Sequence, residues 1–336
     1  MCISEVTKRI SLYASLMFVC SLFTTSVFAQ GNSGNANGQP FAALQAQIDE
    51  LKGLVDALTL GTPVEVTVDC GAGESIVAAL TSVPVFLPIR ITIEGLCNEP
   101  VFIVRDDVVL QGATPSDGFA GGNGPAAIFG ANRIFINNMT IDATGATWGV
   151  GCFQGSVINI NNVAITGGGF GIFAVDGGQC RGINTNVDGS GTGIFSMQDS
   201  LVDMEGAFTI SNAGMGVRAS QGGNVRLQGG LVTGNGTGVQ SSEGSHISLS
   251  GSSVNNNFGD GVRVSWGASL RTEISFSASD NGGNGMTVEN NSTLIGFGVI
   301  TIANNGNWGI QCTADSALVN GAGTYSGNGA GDIDCP

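Results

Sequence analysis

Hydrophobic and polar residues alternate along short segments of this 336-residue chain, and the segments recur at a fixed period. The segment "GVRVSWGASLRTEISFSASDNGGN" is followed directly by "GMTVENNSTLIGFGVITIANNGNW". A glycine, in most repeats followed by an apolar residue, begins each repeat; these glycines are Gly149, Gly171, Gly193, Gly216, Gly238, Gly261, Gly285, Gly309 and Gly331. Steps of 22 to 24 residues are typical of a solenoid, in which each repeat buries its apolar face against its neighbours.

A second column of apolar residues lies nine positions after these glycines. Its members are Ile158, Cys180, Val202, Val225, Ile247, Leu270, Leu294 and Leu318. Because side chains alternate between the two faces of a strand, this column is predicted to point inward. Gly, Asn, Asp and Ser separate the strands, and they are the residues that tolerate turns. The pattern predicts short parallel strands stacked about 4.8 Å apart.

These rows resemble the right-handed parallel β-helix repeats of pectate-lyase-like secreted proteins, including those of bacteria. The resemblance implies an all-β solenoid of about eleven coils, which we assign to residues 61–336, with regular coils over 127–336. A short helix from Ile76 to Leu80 is predicted to cover the open end. The segment "GATPSDGFAGGNGP" is interpreted as a looped-out insertion. Lyases, hydrolases, tailspikes and adhesins share this fold, so it does not specify the function.

The N-terminal 60 residues divide into three predicted segments. Residues 1–29 are typical of a signal peptide, with two basic residues before an apolar run and with Val27 and Ala29 at the cleavage spacing. The alternative is an uncleaved membrane anchor. Residues 30–40 are predicted to be a flexible linker. Over 41–60, a heptad pattern predicts a short helix, either for self-association or for packing against the main domain; its apolar residues are Leu44, Ile48, Leu51, Val55 and Leu58.

Six cysteines remain after the predicted cleavage, and an even number in an exported protein indicates disulfides. Cys312 and Cys335 occupy nearly equivalent places in adjacent coils, so we expect them to pair. A second expected pair, Cys70 and Cys97, follows two similar strands about one coil apart. Cys152 and Cys180 belong to different strand columns, which favours free, buried thiols and leaves a third disulfide as the alternative.

Composition and motifs restrict the classes of function. With 26 acidic and 11 basic residues, the chain repels nucleic acid. The Gly-His-Gly and Arg-x-Lys elements of polygalacturonase-like relatives are absent, and no metal-ligand spacing occurs, so we predict no catalytic residue, no metal and no cofactor. The single histidine, His246, is predicted to be an ordinary outer-face residue. The alternative is a polysaccharide lyase or glycoside hydrolase with an atypical active site.

Outward-facing positions suggest two candidate binding surfaces. A strip of alternating charge is formed by Arg181, Asp203, Glu205, Arg226 and Arg271, and is either a salt-bridge ladder or a groove for an extended polysaccharide. An apolar stripe contains Phe153, Phe173 and Phe195, and is either covered by the N-terminal helix or another subunit, or stacks on sugar rings.

The sequence therefore predicts an exported binding or structural module, secreted, periplasmic or on the cell surface. Its predicted partner is a polysaccharide or cell-surface glycan, as in a carbohydrate-binding or adhesin-like protein. Stable membrane insertion after cleavage is not expected.

Overall fold

A computed structural model describes residues 45–48, 52, 61–122, 124–319 and 323–336. The predicted signal peptide, the linker and most of the heptad helix lie outside these residues; residues 45–48 and 52 are helical. The chain divides into two compact units, Met1–Asp56 and Ala57–Pro336. No helix among the described residues has both the length and the apolar character needed to cross a membrane.

The second unit is a parallel β-helix in which each complete coil passes through three faces. Face 1 contains the strands β1 (Val64–Asp69), β2 (Ile89–Glu94), β5 (Val108–Gly112), β8 (Ile134–Asp142), β10 (Val157–Thr166), β12 (Gln179–Ile183), β15 (Leu201–Glu205), β18 (Asn224–Gln228), β21 (His246–Ser250), β24 (Ser269–Glu273), β27 (Thr293–Gly296) and β30 (Ala317–Val319).

Face 2 follows after a sharp corner, and the long strands β8 and β10 continue through that corner into it. Its other strands are β3 (Leu96–Asn98), β6 (Gly118–Ala120), β13 (Asn186–Asp188), β16 (Thr209–Ser211), β19 (Leu231–Thr233), β22 (Ser253–Asn255), β25 (Phe276–Ser279), β28 (Ile300–Ala303) and β31 (Gly323–Ser326).

Face 3 is a separate parallel sheet that carries the repeating glycines. Its strands are β4 (Val101–Ile103), β7 (Ala126–Phe129), β9 (Trp148–Phe153), β11 (Phe170–Ala174), β14 (Thr192–Ser196), β17 (Met215–Ala219), β20 (Thr237–Ser241), β23 (Val262–Val264), β26 (Met286–Val288), β29 (Trp308–Cys312) and β32 (Gly331–Asp334).

Strand register confirms the predicted inward column. Cys180 pairs with Ile158 on one side and with Val202 on the other, and the same pairing continues to Leu318. The column is fully buried from Ile158 to Leu294. The core therefore runs along the solenoid axis as stacks of like apolar side chains, and the predicted all-β parallel β-helix is confirmed.

The glycine at the head of each repeat is explained by a close approach between faces 2 and 3. A Cβ atom at Gly171 would collide with the side chain of Val187 and with the carbonyl oxygen of Gly193 in the next coil. At Gly238 the same collisions would involve Val254 and Gly261. Only glycine lets this inner corner pack, so the residue recurs in successive coils.

A buried asparagine stack fills the corner between faces 2 and 3 in the later coils. Each amide nitrogen donates a hydrogen bond of 2.9 to 3.0 Å to the amide oxygen of the next member; the stack is Asn235, Asn257, Asn281, Asn305 and Asn328. Each amide nitrogen also donates a hydrogen bond to a backbone carbonyl of the face 2 strand in the preceding coil. The sequence pattern identified these asparagines only as turn residues.

The N-terminal end of the solenoid carries the predicted helix. A short 3-10 turn, Cys70–Ala72, precedes α1 (Ile76–Ser82), which is capped by Ser75 and is two residues longer than predicted. Ile76, Ala79 and Leu80 are buried. The helix thus covers apolar core at the first coils.

Two sequence interpretations are corrected. Cys152 and Cys180 are not free thiols: they form a disulfide with a Cα–Cα distance of 6.1 Å, because inward residues of faces 3 and 1 converge at their shared corner. The pairs Cys70–Cys97 and Cys312–Cys335 are confirmed. Gly118–Ala120 is not looped out, since β6 pairs with β3 and β8. Stacking therefore begins well before residue 127.

Candidate functional site

The predicted strip of alternating charge lies on the outside of face 1. We use the name polar strip for ten of the outward side chains of β10 to β24, which are Asn159, Arg181, Asp203, Glu205, Arg226, Gln228, Ser248, Ser250, Arg271 and Glu273. The outward Ile183 and Leu201 lie beside it and are apolar. Backbone register places Arg181 beside Asp203, and Asp203 beside Arg226 in the coil after that. It also places Ser248 beside Arg271. All five charged residues that the sequence assigned to this surface therefore lie on one face.

Ion pairs connect the charged members of the polar strip. Arg181 Nη2 lies 2.8 Å from Glu205 Oε2. Arg226 reaches both acids of β15, with Nε 3.5 Å from Asp203 Oδ1 and Nη2 3.7 Å from Glu205 Oε1. In the last coil of the strip, Arg271 Nε lies 2.6 Å from Glu273 Oε1. Three guanidinium groups thus face three carboxylates, and the strip has no net charge.

Two carboxyl groups of β15 have opposite electrostatic environments. Burial raises the pKa of Asp203, and the nearby Arg226 only partly opposes that effect. The hydrogen bond from Arg181 holds the pKa of Glu205 below its usual value. Since Asp203 and Glu205 are alternate residues of one strand, both side chains point outward.

His246 lies at the edge of the polar strip, as the first residue of β21. Its Nδ1 is 2.8 Å from Ser269 Oγ. Burial lowers the pKa of His246, and the positive charge of Arg271 lowers it further. The imidazole is therefore neutral at pH 7 and is half-buried, whereas the sequence placed it simply on the outer face or at a turn.

Bulky residues flank β24 at both corners of its coil. Trp266 and Ile274 have left-handed backbone conformations, with φ of 57° and 56°, and their exposed fractions are 65% and 68%. Phe297 in the next coil is also exposed, and the guanidinium carbon of Arg271 lies 4.8 Å from its ring centroid. Sequence reasoning missed Ile274 and Phe297; the signal was an isoleucine in a column otherwise occupied by asparagine and glycine.

The predicted apolar stripe is on face 3, where aromatic rings pack on one another. Phe173 lies 5.8 Å from Phe153 and 5.6 Å from Phe195 between ring centroids. Phe153 and Phe195 are only 8% and 9% exposed. The Phe153 ring lies over the site that a side chain would occupy at Gly151. The rings therefore form a satellite core outside the sheet, with little surface left for a sugar.

Further aromatic side chains complete this satellite core. Phe129 stacks on Phe153 at 4.8 Å, and Phe170 stacks on Phe173 at 4.9 Å. The guanidinium carbon of Arg218 lies 5.1 Å from the Phe195 ring centroid and ends the stripe. A cation over the face of an aromatic ring is attracted by the negative charge of that face.

Within the described part of the chain, no group of three or more His, Cys, Asp and Glu side chains is placed to hold a metal ion.

Comparison with solved structures shows the fold and not the activity. No protein-family model matches the chain, and no curated protein matches it in sequence. The A-module of Azotobacter vinelandii mannuronan C-5 epimerase AlgE4 superimposes with a TM-score of 0.55 at 13% identity, covering 74% of this chain and 90% of that one. ORF18 of Geobacillus virus E2 superimposes with a TM-score of 0.53 at 12% identity, covering 91% of this chain and 64% of that one.

Proposed function

We propose that this parallel β-helix protein is an exported module that binds a neutral, extended polysaccharide along the polar strip. The main observation behind this proposal is that the strip presents hydrogen-bonding side chains in each of its coils while its six charges cancel. Sugar hydroxyls both donate and accept hydrogen bonds. Guanidinium groups donate, carboxylates accept, and the amides and hydroxyls of Asn159, Gln228 and Ser248 do both.

Charge favours a neutral glycan over an anionic one. The chain has a formal net charge of −15, which repels a polyanion at long range. The arginines of the strip already contact carboxylates, so an acidic sugar would have to displace those partners. A neutral sugar can instead add hydrogen bonds to an Arg–Glu pair that stays intact.

The geometry also suits an extended chain. Equivalent side chains repeat about every 4.8 Å along the solenoid axis, close to the length of one sugar residue in an extended polysaccharide. The polar strip runs over six coils without an intervening apolar position in the column from Asn159 to Arg271. The solved neighbour named as a mannuronan epimerase agrees with a polysaccharide ligand, but mannuronan is a polyuronate, so this likeness does not favour a neutral glycan.

Affinity electrophoresis tests the proposal. Gels would contain hydroxyethylcellulose, glucomannan or dextran as neutral polysaccharides, and alginate or polygalacturonate as anionic ones. At least one neutral polysaccharide should retard the protein. The double variant Glu205→Gln/Arg226→Gln should weaken that binding roughly tenfold, which corresponds to 1.4 kcal/mol.

A matched control comes from the ion pair on face 3. Arg263 contacts Glu289 at 2.5 Å and is about as exposed as Arg226. Arg263→Gln should therefore leave the retardation unchanged. Binding to alginate or polygalacturonate alone, or no binding at all, would overturn the proposal.

A second candidate function is polysaccharide cleavage, and the two carboxyl groups of β15 favour it. A raised pKa suits a general acid and a lowered pKa suits a base or nucleophile, as for Asp203 and Glu205 respectively. Their Cα atoms lie about 6.6 Å apart on one strand. Hydrolysis of the bound neutral polysaccharide adds one water across each cleaved glycosidic bond and should release reducing ends, and Asp203→Asn should abolish their release. Binding without any product would exclude this candidate.

A further inference from the structure

The coil that contains β24 differs from its neighbours at both corners. At the corner between faces 3 and 1, a left-handed residue recurs in successive coils; the earlier members are Gln154, Asp176, Gln198, Gln221 and Glu243, and the later ones are Trp266 and Asn290. At the corner between faces 1 and 2, the left-handed residues are Asn138, Asn162, Asn184, Gly206, Gly229, Gly251, Ile274 and Gly298. The two positions that break these polar or glycine columns belong to the same coil.

Neither substitution is explained by the fold. A left-handed backbone is unfavourable for bulky and β-branched residues, and asparagine or glycine adopts it with less strain. Burial does not offset that strain, since both Trp266 and Ile274 are about two-thirds exposed. Residues held in such conformations cluster at functional sites. The fold itself therefore gives no reason for a bulky residue at either position.

Polar groups of the strip lie between these two corners. Ser269, Arg271 and Glu273 are the outward residues of β24 and span about 13 Å along the strand. The Arg271–Glu273 ion pair and the contact of Arg271 with the Phe297 ring hold the guanidinium in one orientation. A fixed donor and a fixed acceptor therefore lie between two exposed apolar side chains.

We propose that this coil is the anchor subsite of the polar strip, where Trp266 stacks on the apolar face of one neutral pyranose ring. Arg271 and Glu273 hydrogen-bond to the hydroxyl groups of a second sugar residue of the same polysaccharide, and Ile274 and Phe297 border the far side. This inference rests on the proposed polysaccharide binding and specifies which coil supplies most of the affinity. It also specifies the ligand class, a neutral sugar with an apolar ring face.

Two substitutions test the subsite, each taken from an adjacent coil. Trp266→Asn introduces the residue of the next coil and should weaken the retardation by hydroxyethylcellulose or glucomannan roughly tenfold. Ile274→Gly introduces the residue found on either side. It should weaken binding several-fold while raising the thermal midpoint, because the strain is relieved. If Ile274 had a purely structural role, Ile274→Gly would lower both the binding and the thermal midpoint.

Tryptophan fluorescence gives an independent readout. Trp266 is one of three tryptophans in the chain. The polysaccharide should change the emission of the native protein, and this change should be missing in Trp266→Asn. Phe258→Ala removes an exposed aromatic from another corner, 79% exposed, and should leave both the retardation and the fluorescence change unaltered.

The outcomes separate this inference from the proposed function. If the strip variant Glu205→Gln/Arg226→Gln weakens retardation while Trp266→Asn binds as tightly as the native protein, the anchor subsite is wrong and the polar strip stands. If the native protein binds none of the neutral polysaccharides, both proposals fall.

Discussion

Arg105 illustrates how a single buried charge can organise one end of the solenoid. It is 8% exposed, and its guanidinium donates hydrogen bonds to four carbonyl oxygens, one in the last turn of α1 and three in the segment that follows it, those of Leu80, Val83, Pro84 and Leu87. Burial lowers the pKa of Arg105, with the charge of Asp107 opposing that effect, but a guanidinium stays protonated at any ordinary pH. The side chain therefore connects α1 and the segment after it to the first coils by hydrogen bonds.

Replacing Arg105 by methionine should destabilise the fold strongly. The change leaves buried carbonyls without donors, and losing such a network lowers the free energy of unfolding by about 3–5 kcal/mol. Arg90→Met is the control, because Arg90 is 48% exposed and lies 3.7 Å from Glu65; its loss should cost no more than about 1 kcal/mol. Urea denaturation measures both. Equally small losses of stability in the two variants would contradict this structural role of Arg105.

His246 should make the free energy of unfolding depend on pH at and below the ordinary histidine pKa of about 6.5. Its pKa is lowered in the fold by burial and then by Arg271, so the unfolded chain binds the proton more tightly. The stabilisation from the neutral imidazole is complete above the unfolded pKa of about 6.5 and is lost as the pH falls towards the folded pKa. His246→Asn introduces the residue type of Asn224, which pairs with His246 from the preceding coil. The thermal midpoint of this variant should depend less on pH over this range than that of the native protein. An unchanged slope would assign the dependence to other groups.

The roles of several residues depend on contacts that sequence spacing does not encode. Phe153 and Phe195 were correctly placed on an outward column, but their burial follows from side-chain packing over glycine and beside other rings. The disulfide of Cys152 and Cys180 was only the alternative in the sequence analysis, because row alignment shows which residues stack along the axis. It does not show which columns converge across a corner.

At the scale of elements, the coil register was predictable from sequence. Inward positions such as Val225 and Ile247 must be apolar in coil after coil, so the row alignment and the backbone pairing coincide. The short strands of face 2 left a weaker pattern, since three residues show little alternation. The asparagine stack left no distinct signal, because Asn256 in a turn and Asn257 in the core are neighbours of the same type.

The asparagine stack should contribute strongly to the later coils. Asn281 accepts from Asn257 and donates both to Asn305 and to the carbonyl of Val254, with 1% of its surface exposed. Asn281→Ala removes these bonds and leaves buried polar groups unpaired, at a cost of about 2–4 kcal/mol. Asn307→Ala, at an exposed turn position two residues beyond Asn305, should change stability by less than about 0.5 kcal/mol. Chemical denaturation compares the two variants, and similar losses would contradict the role of the stack.

At the scale of the molecule, stability is carried by contacts between neighbouring coils. In such a solenoid the free energy of unfolding is close to a sum of coil and interface contributions. The place of a disulfide along the axis therefore matters as well as its loop length. Cys152–Cys180 lies within the stack of coils. Cys312–Cys335 joins the last residue of β29 to the residue that follows β32, at the C-terminal end of face 3.

Removing these two disulfides should have different consequences despite similar loop lengths. The sequence separations are 28 and 23 residues, so the entropic contribution is about 3.5 kcal/mol for each. Cys312→Ala/Cys335→Ala should release only the terminal coils, seen as faster hydrogen exchange in β30 to β32 with a nearly unchanged global midpoint. Cys152→Ala/Cys180→Ala should lower the global midpoint, because coils on both sides depend on that interface. Exchange that rises uniformly in both variants would show that the solenoid unfolds as one cooperative unit, in which position along the axis has no effect.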